Sequence, residues 1–212
     1  MNEKANTERL EQLRAAHTAD PDNRETAIEL AQLYADLGWY NESLDLYREL
    51  REQHPNDYAL ILDYGNIRFR REDHKEAVSA FEKLTELKPG RIEGWNNLGI
   101  VQMTLGNHEE ARKAFGKVLE LEPDNAGALL NMGNYHHKRG DLEEAGRMFE
   151  RAVNTAPDFS DGWFNLGNVY RERCDYEKAA EAYRKALRYK QDFPSALKNL
   201  GLVCERLGRE DE

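Results

Sequence analysis

Apolar residues along the chain recur at helical spacing, and the whole pattern repeats. We number positions in a 34-residue unit whose first copy starts at Arg24. Apolar or small residues then occupy positions 4, 7 and 8 in every copy and position 11 in some copies, followed by positions 20, 24 and 27. This spacing is typical of amphipathic helices, and no alternating pattern of a β-strand competes with it. Each unit is therefore predicted to be two helices, a first and a second, joined by a short turn.

Prolines mark the period of the unit. Five of them are separated by intervals of 34 residues: Pro21, Pro55, Pro89, Pro123 and Pro157. A fixed period of this length indicates stacked units, each too small to bury its apolar face alone. Placing these prolines at position 32 predicts five copies, at residues 24–57, 58–91, 92–125, 126–159 and 160–193. We expect residues 1–23 to form an N-terminal half-repeat helix and 194–212 a C-terminal capping helix and tail.

Large and small residues are predicted to meet inside each unit. Position 8 is glycine in five copies: Gly65, Gly99, Gly133, Gly167 and Gly201. Position 24 is aromatic in every complete copy: Tyr47, Phe81, Phe115, Phe149 and Tyr183. A large side chain over a small residue lets two helices approach closely, so these two positions should pack together.

Polar residues at the turns are predicted to cap the helices. For the first helices the expected caps directly follow position 32: Asp22, Asn56, Asp124, Asp158 and Asp192. For the second helices they are Asp73, Asn107 and Asp141, each with a glutamate three residues later. Most copies have glycine at the turn before the second helix, but Glu72 and Cys174 replace it in two copies.

The combination of residues in each copy resembles the tetratricopeptide repeat. The third copy carries Trp95, Leu98-Gly99, Ala111, Phe115 and Pro123 at the positions typical of that family. The resemblance covers residues 24–207. It implies an all-α, right-handed superhelical solenoid of antiparallel helix pairs, and a binding groove lined by positions 2, 5, 6, 9, 12 and 13 of the first helices. We call these the groove positions.

Asparagines recur at two of the groove positions. They are Asn97, Asn131, Asn165 and Asn199 at position 6, and Asn66, Asn134 and Asn168 at position 9. An amide can donate and accept, so a row of amides could hold a peptide backbone without reading its side chains. The row resembles the asparagine ladder of the O-linked N-acetylglucosamine transferase family, which implies backbone recognition of extended segments. Two alternatives stay open: that the asparagines were inherited without use, or that they bond the neighbouring helix.

Basic residues at the groove positions gather in the last three copies. They are Lys138, Arg171, Lys198 and Arg206. They could bind a ligand carboxylate. The carboxylate clamp of chaperone-binding members, however, uses lysine at position 5 beside asparagine at position 9, and here Leu130 and Phe164 occupy position 5.

Composition narrows the class of partner. The net charge is −10 and the pI is about 5.2, which argues against nucleic-acid binding because a phosphate-binding surface needs a basic excess. No segment has the length and apolarity of a signal peptide or a membrane span, so we expect no membrane insertion and a cytoplasmic location. Cys174 and Cys204 are read as free thiols.

Catalytic and metal-binding patterns are weak. His136 and His137 are neighbours on a helix and therefore point in different directions, so they cannot chelate one ion together. We expect His136 to be a packed residue. No nucleophile or glycine-rich phosphate loop accompanies the carboxylates, so the sequence predicts a protein that is not an enzyme and has no cofactor or metal.

The sequence thus predicts a protein–protein interaction scaffold that binds an extended peptide or protein segment in its groove. Two alternatives remain. The chain could be the substrate-binding repeat arm of a glycosyltransferase whose catalytic domain is absent, for which the acidic end at residues 209–212 would suit truncation. It could also be a self-assembling scaffold whose groove takes a second copy of the chain.

Overall fold

A computed structural model describes residues 3–208. Within this range the chain forms twelve helices and no strand. The helices are α1 (Glu3–Ala19), α2 (Arg24–Asp36), α3 (Tyr40–Gln53), α4 (Tyr58–Arg70), α5 (His74–Leu87), α6 (Ile92–Thr104), α7 (His108–Leu121), α8 (Ala126–Lys138), α9 (Leu142–Thr155), α10 (Ser160–Glu172), α11 (Tyr176–Tyr189) and α12 (Pro194–Arg206). The predicted all-α fold is confirmed. The acidic end at residues 209–212, discussed above, lies outside the described range.

The chain divides into two compact units, Met1–Gly106 and Asn107–Glu212. The N-terminal unit contains α1–α6 and the C-terminal unit contains α7–α12. Within each unit, helices pack mainly on their neighbours in sequence, as in α4 with α5 and α10 with α11. Even-numbered helices from α2 onward are the first helices of the predicted copies, and odd-numbered helices are the second helices. The exact copy boundaries stay a prediction.

Glycine at position 8 and the aromatic residue at position 24 meet as predicted in the copies that contain Gly65, Gly133 and Gly167. A Cβ atom added to Gly65 would lie 2.6 Å from the Phe81 ring, and one added to Gly167 would lie 2.6 Å from the Tyr183 ring. Tyr183 is fully buried at this contact. Gly201 differs, because a Cβ there would meet nothing within 4 Å. It lies on α12, which no second helix follows among the described residues.

The predicted caps of the first helices are wrong by one residue. The N-caps are Asn23, Asp57 and Asn125 instead of Asp22, Asn56 and Asp124. The turn after each proline explains the shift: the Asp57 amide donates to the His54 carbonyl at 3.1 Å, which delays the helix by one residue. The Asp57 carboxylate then accepts from the free Ala59 and Leu60 amides.

The predicted caps of two further first helices are wrong in another way. The N-cap is Phe159 instead of Asp158 at α10, and Phe193 instead of Asp192 at α12, and neither makes a side-chain cap bond. The second helices begin as predicted, after Asp73, Asn107 and Asp141. Asp141 accepts from the Glu144 amide at 3.2 Å. Asp73 instead pairs with Arg68 at 2.7 Å and with Arg71, which lowers the pKa of its carboxyl, chiefly through the Arg68 hydrogen bond.

In four of the five repeated prolines, the carbonyl group accepts a hydrogen bond from one of two kinds of donor. Trp95 Nε1 donates to the Pro89 carbonyl at 2.9 Å, and Trp163 Nε1 donates to the Pro157 carbonyl at 2.8 Å. In two copies whose position 4 is not tryptophan, a basic residue at position 26 donates instead. These contacts are Lys83 Nζ to the Pro55 carbonyl and Arg151 Nη2 to the Pro123 carbonyl, both 2.7 Å. Each of these four carbonyls therefore accepts a hydrogen bond from the copy that follows it.

Candidate functional site: the amides of the first helices

The predicted groove residues all lie on first helices. They are Asn66 on α4, Asn97 on α6, Asn131, Asn134 and Lys138 on α8, Asn165, Asn168 and Arg171 on α10, and Lys198, Asn199 and Arg206 on α12. All seven asparagines are half-buried, as is Arg171, whereas Lys138, Lys198 and Arg206 are exposed. The amides are thus partly shielded from water but still accessible.

Asparagines of consecutive copies are hydrogen-bonded to each other. In the N-terminal unit, Asn97 Nδ2 donates to Asn66 Oδ1 at 3.2 Å. The C-terminal unit contains two such pairs: Asn165 Nδ2 to Asn134 Oδ1 at 3.2 Å, and Asn199 Nδ2 to Asn168 Oδ1 at 2.9 Å. In every pair, position 6 of one copy donates to position 9 of the copy before it. Of the alternatives left open, bonding to the neighbouring helix therefore occurs.

Two buried tyrosines extend these contacts. Tyr183 donates its hydroxyl to Asn168 Oδ1 at 2.8 Å, so that this oxygen accepts two hydrogen bonds. In the N-terminal unit, Tyr47 donates to Asp63 Oδ2 at 3.0 Å, and Gln32 Nε2 lies 3.4 Å from the same oxygen. Burial raises the pKa of both tyrosines, and the charge of Asp63 adds to the effect at Tyr47.

The part played by these two tyrosines was not predicted from the sequence. The signal was present at position 24, where Tyr47 and Tyr183 carry a hydroxyl and the other three copies have phenylalanine. Both are fully buried, and a buried hydroxyl needs an acceptor. The acceptors are Asp63 and Asn168, both at groove positions, so the packing of the second helices is coupled to the orientation of these two side chains.

Asn131 differs from the other position-6 asparagines. Its side chain makes no hydrogen bond to any residue that the structure describes, whereas Asn97, Asn165 and Asn199 each donate one. In the sequence, position 9 of the preceding copy is Ile100, which has no amide. Asn131 therefore keeps the full hydrogen-bonding capacity of its amide.

A cleft of ≈ 570 Å³ in the C-terminal unit brings together two of the predicted basic residues. It is lined by Arg171, Glu172, Tyr176, Leu202, Val203, Glu205 and Arg206. The Arg171 Nε group is buried and has no hydrogen-bond partner among the described residues. Glu172 is held by His137, whose Nε2 lies 2.9 and 3.0 Å from the two carboxylate oxygens. The cleft thus offers guanidinium donors to an anionic group.

The other two predicted basic residues lie elsewhere. Lys138 Nζ is 3.3 Å from His108 Nε2, and Lys198 does not line the cleft. A smaller cleft of ≈ 280 Å³ in the N-terminal unit includes Asn66. Its charged residues are Asp36, Asp63 and Arg70, and Arg70 donates to the Ala35 carbonyl at 2.9 Å.

The described residues contain no group of three or more His, Cys, Asp or Glu side chains that could hold a metal ion. His136 is partly buried, with 21% of its side chain exposed, and lies 3.6 Å from Asp141 and edge-on to Tyr135. Cys174 is exposed, Cys204 is buried, and both are free thiols. No helix in the described part of the chain has the length and apolarity required to cross a membrane.

Family models of the tetratricopeptide repeat match most of the chain. The matched residues are 28–92, 68–130, 102–166 and 167–208. The chain belongs to the tetratricopeptide repeat family. The helix pairs and the contact of position 8 with position 24 described above are what this family assignment leads us to expect.

Solved structures share the fold of this tetratricopeptide repeat protein. A crystal structure of MamA gives a TM-score of 0.64 at 26% identity, covering 73% of this chain and 84% of that one. YrrB, described as a TPR protein with an unusual peptide-binding site, gives 0.65 at 24% identity over 89% of this chain and 97% of that one. The APC/C hetero-tetramer Cut9-Hcn1 gives 0.74 at 18% identity over 94% and 40%. No curated protein sequence matches the chain.

Proposed function

We propose that the chain is a non-catalytic scaffold that binds an extended peptide or protein segment along the groove positions of its first helices. The observation that carries the proposal is the unpaired amide of Asn131, half-buried on α8. Asparagine is a mediocre helix former, so an asparagine that bonds no other side chain gives little benefit to the helix. Its donors and acceptor are available to the main chain of a ligand.

The amide pairs support this proposal because the paired asparagines still have unused hydrogen-bond donors and acceptors. An asparagine at position 6 that donates one N–H still has a second N–H and its Oδ1 oxygen. Pairing fixes the orientation of the side chain before a ligand arrives, and preorganisation of this kind reduces the entropy cost of binding. With first helices about 10 Å apart and an extended chain rising about 3.3 Å per residue, one amide would meet about every third ligand residue.

The cleft at Arg171 and Arg206 suits an acidic group of the same ligand. Arg206 makes no ion pair with any described residue, and Arg171 has only Glu172, at 4.0 Å. Guanidinium groups bind carboxylates through two parallel hydrogen bonds, which gives direction as well as charge. We propose that a ligand carboxylate occupies this cleft while amides hold the backbone beside it. The peptide-binding site reported for YrrB agrees with the proposal, although that likeness concerns the fold.

The test begins with affinity purification of the intact chain and mass spectrometry of the proteins that it retains. Synthetic segments of the recovered partner are then titrated by calorimetry against the parent and Asn131→Ala. Loss of two hydrogen bonds, each contributing about 0.5–1.5 kcal/mol, should weaken binding by about five- to a hundredfold. Asn154→Ala is the matched control, because Asn154 is exposed on the second helix α9.

Two results would contradict the proposal. One is equal affinity of the parent and Asn131→Ala for every recovered segment, with circular dichroism showing that both are folded. The other is equal weakening by Asn131→Ala and by Asn154→Ala, which would indicate a general effect of substitution. Replacing all four position-6 asparagines together is less informative, since it would also remove the three amide pairs.

A further inference from the structure

The cleft of ≈ 280 Å³ in the N-terminal unit, which we call the N-terminal cleft, contains a carboxylate without a counter-ion. Asp63 lines this cleft half-buried on α4 and forms no ion pair with any residue that the structure describes. Arg70 lines the same cleft, but its Nη2 donates to the Ala35 carbonyl at 2.9 Å and its Nη1 lies 3.7 Å from Asp36. A half-buried charge with no partner of opposite sign costs free energy, which a bound cation would recover.

The contacts of Asp63 within the protein do not explain why this position carries a charge. Tyr47 donates its hydroxyl to Asp63 at 3.0 Å. An amide meets the same need in another copy, where Asn168 accepts from the equivalent Tyr183 at 2.8 Å. Asp63 lies near the middle of α4, where the helix dipole has little effect, and aspartate is a poor helix former. The charge is therefore available for a ligand.

The hydrogen bonds that Asp63 already accepts decide which kind of cation suits it. Tyr47 and Gln32 both donate to its Oδ2 atom, at 3.0 and 3.4 Å, whereas Oδ1 accepts from no described residue. A guanidinium binds a carboxylate best through both oxygens, and here one oxygen is occupied. An ammonium is a compact charge that needs only one carboxylate oxygen and has three N–H donors. The arrangement therefore favours an ammonium.

We propose that the N-terminal cleft binds the ammonium group of a lysine side chain of the ligand segment. This inference rests on the proposed function and adds the chemistry of one ligand residue. The ammonium donates to Asp63 Oδ1, and the side-chain oxygens of Gln32 and Asn66, which line the same cleft, accept its other two N–H groups. Asn66 Oδ1 accepts one hydrogen bond, from Asn97, and so has a lone pair left. Ile67 supplies an apolar wall for the methylene chain.

The experiment is an NMR titration of the 212-residue chain with the peptide acetyl-Gly-Lys-Gly-amide, observed at the side-chain NH₂ resonances of Gln32 and Asn66. Two further peptides replace the lysine by norleucine, which has no charge, and by arginine. We expect the lysine peptide to shift both resonances saturably, with a dissociation constant in the millimolar range. The norleucine peptide should cause no saturable shift, and the arginine peptide should bind at least about threefold more weakly, because its planar fork meets only one free oxygen.

Asp63→Asn removes the charge but keeps an oxygen for the Tyr47 hydroxyl. It should weaken binding of the lysine peptide at least about tenfold, because hydrogen bonds to charged groups are roughly twice as strong as neutral ones. Asp45→Asn is the matched control, since it removes the same charge from an exposed position of α3 in the same unit. It should leave the dissociation constant unchanged. Circular dichroism confirms that both variants are folded.

Any of three results would overturn the lysine site. The first is the absence of a saturable shift with the lysine peptide. The second is equal affinity for the lysine peptide and for either the norleucine or the arginine peptide. The third is equal weakening by Asp63→Asn and by Asp45→Asn, which would indicate an effect of net charge alone.

The partner segments recovered by affinity purification separate this inference from the proposed function. Segments that are weakened by Asn131→Ala but not by Asp63→Asn would leave the scaffold function standing and overturn the lysine site. Segments that are weakened by Asp63→Asn, and equally by replacing their lysine with norleucine, but not by Asn131→Ala, would support the lysine site and contradict the role given to the Asn131 amide.

Discussion

Gly133 and Phe149 are in such close contact that a Cβ atom on Gly133 would lie 2.4 Å from Cε1 of the Phe149 ring. Phe149 is buried and cannot move aside freely. Gly133→Ala should therefore destabilise the protein by about 1–3 kcal/mol through overpacking, although alanine is the better helix former. Urea unfolding followed by circular dichroism measures the change.

Gly201→Ala is the control for that substitution, because it makes the same change at the same position of the unit. With no atom within 4 Å of the new Cβ, only the helix propensity should remain. We expect a gain of about 0.5–1 kcal/mol. If both variants moved in the same direction, the steric explanation would be wrong.

Asn131 and Asn165 occupy the same position of the unit, but only Asn165 is paired, so we expect their substitution to change stability differently. Asn131→Ala removes no hydrogen bond to a described residue and should stabilise the helix by about 0.5 kcal/mol. Asn165→Ala removes the 3.2 Å bond to Asn134 and should be less stable than Asn131→Ala by about 0.5–1.5 kcal/mol. Parallel urea titrations of the two variants give the difference. Identical stabilities would mean that the amide pair contributes nothing.

The indole bond to the proline carbonyl can be tested with Trp163→Phe. Phenylalanine retains most of the packing but cannot donate to the Pro157 carbonyl, so stability should fall by about 0.5–1.5 kcal/mol. Trp39→Phe is a suitable comparison, because Trp39 is exposed and stacks on Tyr34. It should change the free energy of unfolding less than Trp163→Phe does, and the reverse order would contradict the proposed role of the indole N–H.

Alkaline pH should unfold the protein in part through Tyr47. Burial raises the pKa of this tyrosine, and the neighbouring Asp63 raises it further. A raised pKa in the folded state contributes stability that is fully present below the unfolded-state pKa of about 10. This contribution is lost as the pH rises through the folded-state pKa.

Tyr47→Phe tests the assignment. The variant loses the hydrogen bond to Asp63 and should be less stable at neutral pH by about 0.5–1.5 kcal/mol. Its stability should also decline less than that of the parent between about pH 9 and 11. Urea midpoints at several pH values provide both comparisons. An unchanged decline would show that another group is responsible.

Two turns hold a residue other than glycine in the left-handed region. Glu72 has φ 67° and Cys174 has φ 61°, where the equivalent Gly106 and Gly140 have φ 79°. A side chain in this region is strained. Cys174→Gly and Glu72→Gly should each stabilise the protein by roughly 0.5–1 kcal/mol, measured by thermal unfolding. Gly140→Ala should do the opposite, and a loss of stability in Cys174→Gly would contradict the argument.

The sequence predicts the helices and their internal packing because these depend on short-range periodicity. Gly65 and Phe81 belong to one copy, and the helical period alone puts them on facing surfaces. The predicted caps of the first helices were wrong by one residue at Asn23, Asp57 and Asn125 because a turn extends the loop after each proline. A pattern of polar residues does not show where such a turn ends.

The amide pairs could not be predicted, because they depend on how one first helix is shifted along its neighbour. That shift brings position 6 of a copy level with position 9 of the copy before it. A trace of the arrangement exists in the sequence: Asn66 precedes Asn97, Asn134 precedes Asn165, and Ile100 precedes Asn131. Unless the shift of each first helix along its neighbour is known, the same residues are equally compatible with a continuous row of unpaired amides.

The two donors to the proline carbonyls have a consequence for exchanging parts between copies. A copy with Trp163 on its first helix needs no basic donor on its second, whereas the copy with Leu129 depends on Arg151. Joining the first helix of the latter to the second helix of a tryptophan-containing copy would still place a lysine, Lys117 or Lys185, at position 26. As far as this bond is concerned, recombination or design can therefore move single helices between these copies, provided that position 4 is tryptophan or position 26 is basic.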